Sequence, residues 1–321
     1  MKTINNQILT IKQIGLLSML SIFKKQKPDF PKFPKNIAGF SFDRQILKRP
    51  ERPLSFAIYR NDMGKEAVAK MWSGTKEDFS SQSLENERLI LAKINDLGKN
   101  NYQNISVPKL LGFVKNKKQI ILLSEKVEGI TLNQIPLTQR IKIYEEVISY
   151  LRELSAKINK ENIIVRKNSS IVLAFFPLLI KSLFSHPEIF SDAIKGTGIF
   201  IKGIPGLLRD NKLELVYKSM ENHNMFSDDD RTTLIDFELS CFAHPLTEIA
   251  QLLIFSFDNS DFISAFMKTK TMSDICKNKN QVSTLRTLSL YEVFVQLAFG
   301  PKTDYSRNSS FLKYLTNNYE N

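Results

Sequence analysis

Short apolar runs of alternating pattern fill the first third of the chain, and longer runs with three-and-four spacing fill the rest. Phe40 to Leu47, Leu54 to Arg60 and Glu66 to Trp72 (EAVAKMW) read as strands. Asn61-Asp62-Met63-Gly64 between the last two is a tight turn, with a glycine free to take a positive φ. A helix is expected over Ser83 to Leu97, carrying Glu85 and Glu87. Val107 to Gly112 enters a fourth strand, Asn116-Lys117-Lys118 turns the chain, and Gln119 to Ser124 is another apolar strand. The period then changes. Thr138 to Ile158 sets Ile141, Tyr144, Val147, Ile148, Leu151 and Leu154 at helical spacing, which predicts a buried helix face. Leu246 to Phe257, Phe262 to Met267, Val282 to Phe299 and Phe311 to Leu315 read as further helices.

Two segments depart from these patterns. Ile171 to Leu208 is rich in phenylalanine, leucine and isoleucine, with Lys181, Lys195, Lys202 and Arg209 threaded through it. Pro177, Pro205 and the glycines argue against one long membrane helix. Helices packed on the body of the protein fit it, and so does a surface for a lipid-linked or phosphorylated acceptor. The second segment, Leu213 to Leu253, holds two short apolar runs around a turn. The first, near Asn224-Met225-Phe226, ends at Ser227-Asp228-Asp229-Asp230, and the second, Thr232 to Ile235, delivers Asp236 and Glu238 just past its end. Hairpin pairing of the two runs would bring Asn224 and Asp236 to one pocket.

Composition adds little to this picture. The net charge of +12 fits anionic ligands, a membrane surface or nucleic acid, but the lysines are spread along the chain and no nucleic-acid module is visible. Nucleic-acid binding is therefore not expected. The two cysteines, Cys241 and Cys276, lack metal spacing and fit a reducing compartment, and His186, His223 and His244 are too scattered for a zinc site. A cytoplasmic location follows, with peripheral membrane contact as an alternative. That contact would run through Ile14 to Phe23, an apolar run flanked by Lys12, Lys24, Lys25 and Lys27 that is too short to span a bilayer. Packing of the same run on the body of the protein, or on another chain, is the other reading. Lys27 to Lys35 reads as a proline-rich linker, so residues 1–36 form a tail.

The order of parts resembles the protein-kinase-like fold, and within it the aminoglycoside phosphotransferase and choline kinase branch. The resemblance rests on the strand lysine of Ala67-Val68-Ala69-Lys70, on the run from Glu125 through Glu128-Gly129-Ile130-Thr131-Leu132, and on Asn224 with Ile235-Asp236-Phe237-Glu238. It covers about Phe40 to Phe257. It implies a bilobal α+β architecture: an N-lobe over 37–124 with an antiparallel sheet and one helix, and a larger, mainly helical C-lobe over 125–321. It further implies ATP as cofactor, with Lys70 on the phosphates and paired to Glu87, backbone groups of Glu125 and Val127 on the adenine, and magnesium held by Asn224 and Asp236. The partner would be a small hydroxylated acceptor, a sugar or a lipid-linked sugar among them.

One part of the family pattern is absent. The histidine, small or basic residue and aspartate that open the catalytic loop are replaced by Tyr217, Lys218 and Ser219. Serine has no carboxylate to orient an acceptor hydroxyl or take its proton near neutral pH. Glu221 and His223 are the nearby candidates to substitute for it; the alternative is that both are solvated loop residues. Glu248 stands where the family carries an aspartate that buttresses this loop. No glycine-rich phosphate loop is visible either; Lys48-Arg49-Pro50-Glu51-Arg52-Pro53 occupies its place, with Arg49 or Arg52 as candidate charges. A working phosphotransferase and a pseudokinase that binds nucleotide or a partner without transfer are both consistent with the sequence. So is a membrane-associated scaffold whose basic tail is the working part.

Overall fold

The computed structural model describes residues 32–49, 54–74, 78–98, 101–102, 104–228 and 231–317. The Ile14–Phe23 run, Arg52 and the side chain of Arg49 lie outside the described residues. The first lobe is built on a six-stranded sheet. In chain order its strands are β1 (Asn36–Ile37), β2 (Phe40–Arg49), β3 (Leu54–Arg60), β4 (Glu66–Ser73), β7 (Leu110–Lys115) and β8 (Gln119–Glu125). They lie side by side as β1-β2-β3-β4-β8-β7, with every neighbour antiparallel. Alternation sorts the side chains to two faces. Ala57, Tyr59, Ala67, Ala69, Met71, Ile121 and Leu123 form an outer cluster closed by Ile37 and Phe40. Leu54, Trp72, Ile120 and Leu122 face inward and join the main core. Lys70 falls on this inner face.

Helix α1 (Phe79–Asp96) covers the inner face with Leu84, Ile90, Leu91 and Ile94. It begins four residues earlier than the expected Ser83. Asp78 accepts from the Ser81 N–H while the Ser81 hydroxyl accepts from the Asp78 N–H, so a reciprocal cap fixes the start. The chain then makes β5 (Asn101–Tyr102) and β6 (Ile105–Ser106), which belong to a different sheet. That sheet runs β5-β6-β12-β11-β9, formed with β9 (Ile130–Thr131), β11 (Met225–Asp228) and β12 (Arg231–Leu234). The expected hairpin is therefore present as β11–β12, with Met225 opposite Leu234. It pairs in parallel with β6 and antiparallel with β9, so it is tied to chain on both sides of β7 and β8.

The remainder is mainly helical. Helices α2 (Leu137–Lys157), α3 (Asn168–Ser185) and α4 (Phe190–Arg209) precede the site loop. Helices α5 (Leu246–Phe255), α6 (Ser260–Met267), α7 (Lys270–Cys276), α8 (Lys279–Phe299) and α9 (Tyr305–Asn317) follow it. Most of α8 is buried, and it packs against α3, α4 and α5. The apolar segment from Ile171 to Leu208 is thus two helices joined by a 3₁₀ turn at Pro187–Ile189, with Pro177 and Pro205 inside them. Helix α7 and the strand pair β10 (Glu214–Val216) with β13 (Cys241–Ala243) had no clear signal in the sequence. The architecture is α+β and bilobal.

Candidate active site

Strand β4 and α1 bring Lys70 and Glu87 together. The Lys70 ammonium donates to both carboxylate oxygens of Glu87 at 2.8 Å and to Oδ1 of Asp236 at 2.7 Å. Lys70 and Glu87 are buried, and Asp236 is partly open to solvent. Burial pulls the Lys70 pKa down, but the carboxylates of Asp236, Glu87 and Glu238 outweigh it and hold the ammonium charged. For Glu87, burial dominates and raises the pKa against the pull of Lys70, with Asp236 pushing the same way. Glu85, the other acid on this helix, pairs instead with Lys115 at the surface.

The β11–β12 hairpin aims Asp236 at this pair. Its backbone takes a left-handed conformation, φ 64° and ψ 63°, and turns the chain into the 3₁₀ turn Phe237–Leu239. Such a conformation costs a non-glycine residue energy and persists where neighbours enforce it. Three contacts do so. The Ser219 hydroxyl donates to the Asp236 carbonyl at 2.8 Å, the Phe237 N–H donates to Glu87 at 3.2 Å, and Phe237 is buried against the Tyr217 ring, centroids 5.0 Å apart. Asn224 reaches the same place from the other end of the hairpin. Its amide donates to the Ser219 carbonyl at 3.4 Å, and its own carbonyl accepts from the Ile235 N–H at 3.0 Å. Ser219, Asn224 and Asp236 thus form one bonded cluster, in which Ser219 uses both its hydroxyl and its carbonyl.

Tyr217 is the frame that the sequence reading did not anticipate. Its hydroxyl donates to the Ile235 carbonyl and lies 3.2 Å from the Asn224 carbonyl, spanning the base of the hairpin. Burial first, then the charges of Asp236 and Glu87, push its pKa well up and keep the phenol a neutral donor. Glu248, at the start of α5, is buried, and the Tyr217 backbone is among the groups that act on its carboxyl. Lys218 turns the other way, into the C-lobe. It pairs with the fully buried Glu292 of α8 at 2.8 Å, beside Arg166 at 3.7 Å and Gln251 at 3.0 Å. A partner 74 residues away leaves no local sequence signal. Asn86 was also missed. It donates to the Ser240 carbonyl at 2.7 Å and accepts from the Ile164 N–H at 3.1 Å, fastening α1 to the second lobe.

Glu221 and His223 pair with each other at 2.8 Å at the mouth of the loop, His223 being 64% exposed. The link after β8 holds Glu125 and Val127. The Glu125 N–H is committed to the Lys109 carbonyl at 2.9 Å and its carboxylate to Lys65 at 2.7 Å. Val127 is half-buried in irregular chain. An open cleft of about 530 Å³ adjoins this link, lined among others by Glu66, Pro108, Val127 and Arg231. It is distinct from the Lys70 cluster, none of whose members line it.

Among the described residues no group of three or more histidine, cysteine, aspartate and glutamate side chains could hold a metal. Asp236 and Asn224 offer a carboxylate and, with the Asn224 amide nitrogen turned to Ser219, an amide oxygen. Two hard oxygen donors suit a magnesium ion that keeps water and phosphate oxygens for its other positions.

No family model and no curated protein sequence matches the chain. Solved structures do. A thermostable mutant of aminoglycoside phosphotransferase APH(4)-Ia, in a ternary complex with ADP and hygromycin B, superposes with a TM-score of 0.62 at 12% identity. The match covers 88% of this chain and 96% of that one. The microcompartment-associated aminopropanol kinase gives 0.55 at 11% identity, over 86% and 90% of the two chains. A putative fructosamine-3-kinase from Haemophilus somnus gives 0.52 at 13% identity, over 87% and 91%. The chain therefore has the bilobal kinase-like fold of these structures.

Proposed function

We propose that the protein is a divergent ATP-dependent phosphotransferase acting on a small hydroxylated acceptor. The observation that carries this is the Lys70 ammonium held between Glu87 and Asp236. A buried cation fixed by two carboxylates at the junction of the lobes is suited to polyphosphate, and Asp236 with Asn224 is suited to magnesium. Phosphoryl transfer depends mainly on positioning and charge neutralisation, so these parts supply most of what the reaction needs. The small-molecule kinases that share the fold favour the same class of reaction.

Within this reading Lys70 orients phosphate oxygens, Glu87 fixes Lys70, and Asp236 and Asn224 hold the metal that neutralises the transferred charge. Backbone groups of the 125–127 link would meet the adenine. The Glu125 N–H already has a partner, which leaves the Val127 backbone as the better candidate. The Glu221–His223 pair is the candidate for assisting the acceptor hydroxyl. A second reading, a pseudokinase that binds nucleotide without transfer, is favoured by one observation: the Ser219 hydroxyl is spent on the Asp236 carbonyl.

Calorimetry with ATP and magnesium, on wild type and Asp236→Ala, tests the common ground. Magnesium-dependent binding that the variant loses is expected. No binding to wild type would sink both readings. A screen of hydroxylated acceptors then separates them. With a productive acceptor, His223→Ala or Glu221→Gln should lower kcat by about 10²-fold or more while ATP affinity stays put. Unchanged kcat would remove the pair from the reaction, and nucleotide binding with no turnover on any acceptor would favour the pseudokinase.

A further inference from the structure

The outer surface of the α3–α4 pair is unlike that of an ordinary water-facing helix pair. The outward positions of α3 are Ser169, Leu173, Phe176, Pro177, Ile180 and Phe184, without a charge among them. Leu173 is 60% exposed and Phe184 87%. Neither side chain is covered by packing that its apolar nature would favour. The opposite face of α3 packs normally, with Ile171, Phe175 and Leu178 in the main core.

Helix α4 runs antiparallel beside it. Asn168 at the start of α3 donates to the Leu207 carbonyl near the end of α4 at 2.7 Å, and Phe175 stacks on Phe200 with centroids 3.6 Å apart. At 100° per residue the exposed half of α4 divides in two. Phe190, Ile194, Ile201 and Leu208 form an apolar edge, and Lys195, Lys202 and Arg209 form a basic edge. The Phe175–Phe200 stack fixes which edge adjoins α3: it is the apolar one. The uncharged face of α3 and the apolar edge of α4 thus make a continuous patch. Lys195, Lys202 and Arg209 border it on one side. Lys181 borders it on the other, its ammonium 3.5 Å from the centre of the half-exposed Phe299 ring. Helix α3 has no acid. Asp192 of α4 is turned towards Thr316, and Glu188 lies in the connecting turn near His186.

We propose that this face docks on an anionic lipid bilayer, with the α3–α4 pair lying in the plane of the interface. An apolar strip flanked by lysine and arginine is what an interfacial helix uses, with the strip in the acyl boundary and the cations at the headgroups. Helix α3 is long and apolar enough to cross a membrane by length and composition. Its inner face is part of the lobe core, so it lies on the surface and does not span. Charge decides between occupants. A second copy of the chain would bring its own positive rim against this one. The Ile14–Phe23 run, flanked by four lysines, would add more positive charge. An anionic headgroup layer neutralises the rim on both sides.

Co-sedimentation of the full chain with phosphatidylcholine vesicles, with and without phosphatidylglycerol, tests this. Binding is expected to need phosphatidylglycerol and to weaken as salt rises. Ile180→Glu and Ile201→Glu should each lower the partition at least about tenfold, since a charge replaces a side chain that enters the apolar layer. Lys195→Gln and Lys202→Gln should each lower it about fivefold. These sites are exposed, so circular dichroism and ATP binding should not change. Equal binding by all four variants would overturn the proposal, as would binding indifferent to phosphatidylglycerol or no binding at all. A dimer in solution that Ile180→Glu splits, without vesicle binding, would assign the face to a second copy instead.

Discussion

At the scale of single residues, the site is a balance of charges in which each member restrains the next. Lys70→Met removes the one cation between two carboxylates, and Glu87, almost fully buried, has no solvent to turn to. Breaking a buried pair from one side typically costs about 3–5 kcal/mol, whereas replacing both partners by apolar groups is often near neutral. Urea unfolding should therefore find Lys70→Met strongly destabilised and Lys70→Met with Glu87→Leu much less so; equal loss in both would mean that the pair does not stabilise the fold as an ion pair. Glu248 offers a pH readout of the loop's support. Burial raises its pKa from 4.5 to about 8, against the pull of Arg152 and the Tyr217 N–H. The folded protein thus binds this proton more tightly than the unfolded chain. The resulting stability is fully present below the unfolded pKa and is lost as the pH rises through about 8. The slope contributed is at most about 1.4 kcal/mol per pH unit, or roughly 3 °C of melting temperature. Melting curves of Glu248→Gln should lack this component between pH 5 and 8, and a variant that keeps the wild-type slope would show that Glu248 is not its source.

At the scale of elements, what could be read in the chain was local and what could not was long-range. The strands Leu54–Arg60 and Gln119–Glu125 and the hairpin at 225–234 declare themselves by alternation and turn residues, so their positions were legible within a residue or two. Lys70 stood out because a charge sat inside an apolar strand, Asn224 and Asp236 because they bracket the hairpin, and Glu87 because the family resemblance pairs a helix glutamate with that lysine. The start of α1 was misplaced because the Asp78–Ser81 cap lies outside the apolar run. The buried role of Lys218 was invisible because Glu292 is on a helix read for its apolar positions. The β9–β11 contact was likewise not anticipated, although its key residue was quoted. Gly129 has φ +120°, and a Cβ there would stand 2.6 Å from the Ser227 carbonyl oxygen. Both the dihedral and the close approach exclude a side chain, and the opposing atom is backbone that cannot swing aside. Gly129→Ala should cost about 1–3 kcal/mol and loosen the 125–131 link against the hairpin. If that link carries the adenine, ATP affinity falls in the same variant. Wild-type stability in Gly129→Ala would mean that the hairpin and link can part without penalty.

At the scale of the whole molecule, Lys70 on the sheet of the first lobe bonds directly to Asp236, just past the site hairpin of the second, at 2.7 Å. The two groups proposed to receive phosphate and metal are here engaged with each other. On the proposed function, nucleotide binding would exchange this bond for two others, and the exchange would make a specific demand on magnesium. Without a divalent cation, Asp236 keeps its hold on Lys70 and adds a carboxylate's repulsion to the incoming phosphates. With one, Asp236 would hold the cation and leave Lys70 to the phosphates. ATP affinity should thus rise steeply with magnesium in the wild type. Asp236→Asn should behave in the opposite sense on each arm. Its neutral amide releases Lys70 and removes the repulsion, so magnesium-free ATP binds several-fold more tightly than to wild type, while the gain on adding magnesium largely disappears. Titration calorimetry of both proteins, with EDTA and with magnesium, reads all four affinities. If Asp236→Asn binds magnesium-free ATP no better than wild type does, the Lys70–Asp236 bond is not what nucleotide displaces, and the phosphates must be placed away from the Lys70 cluster.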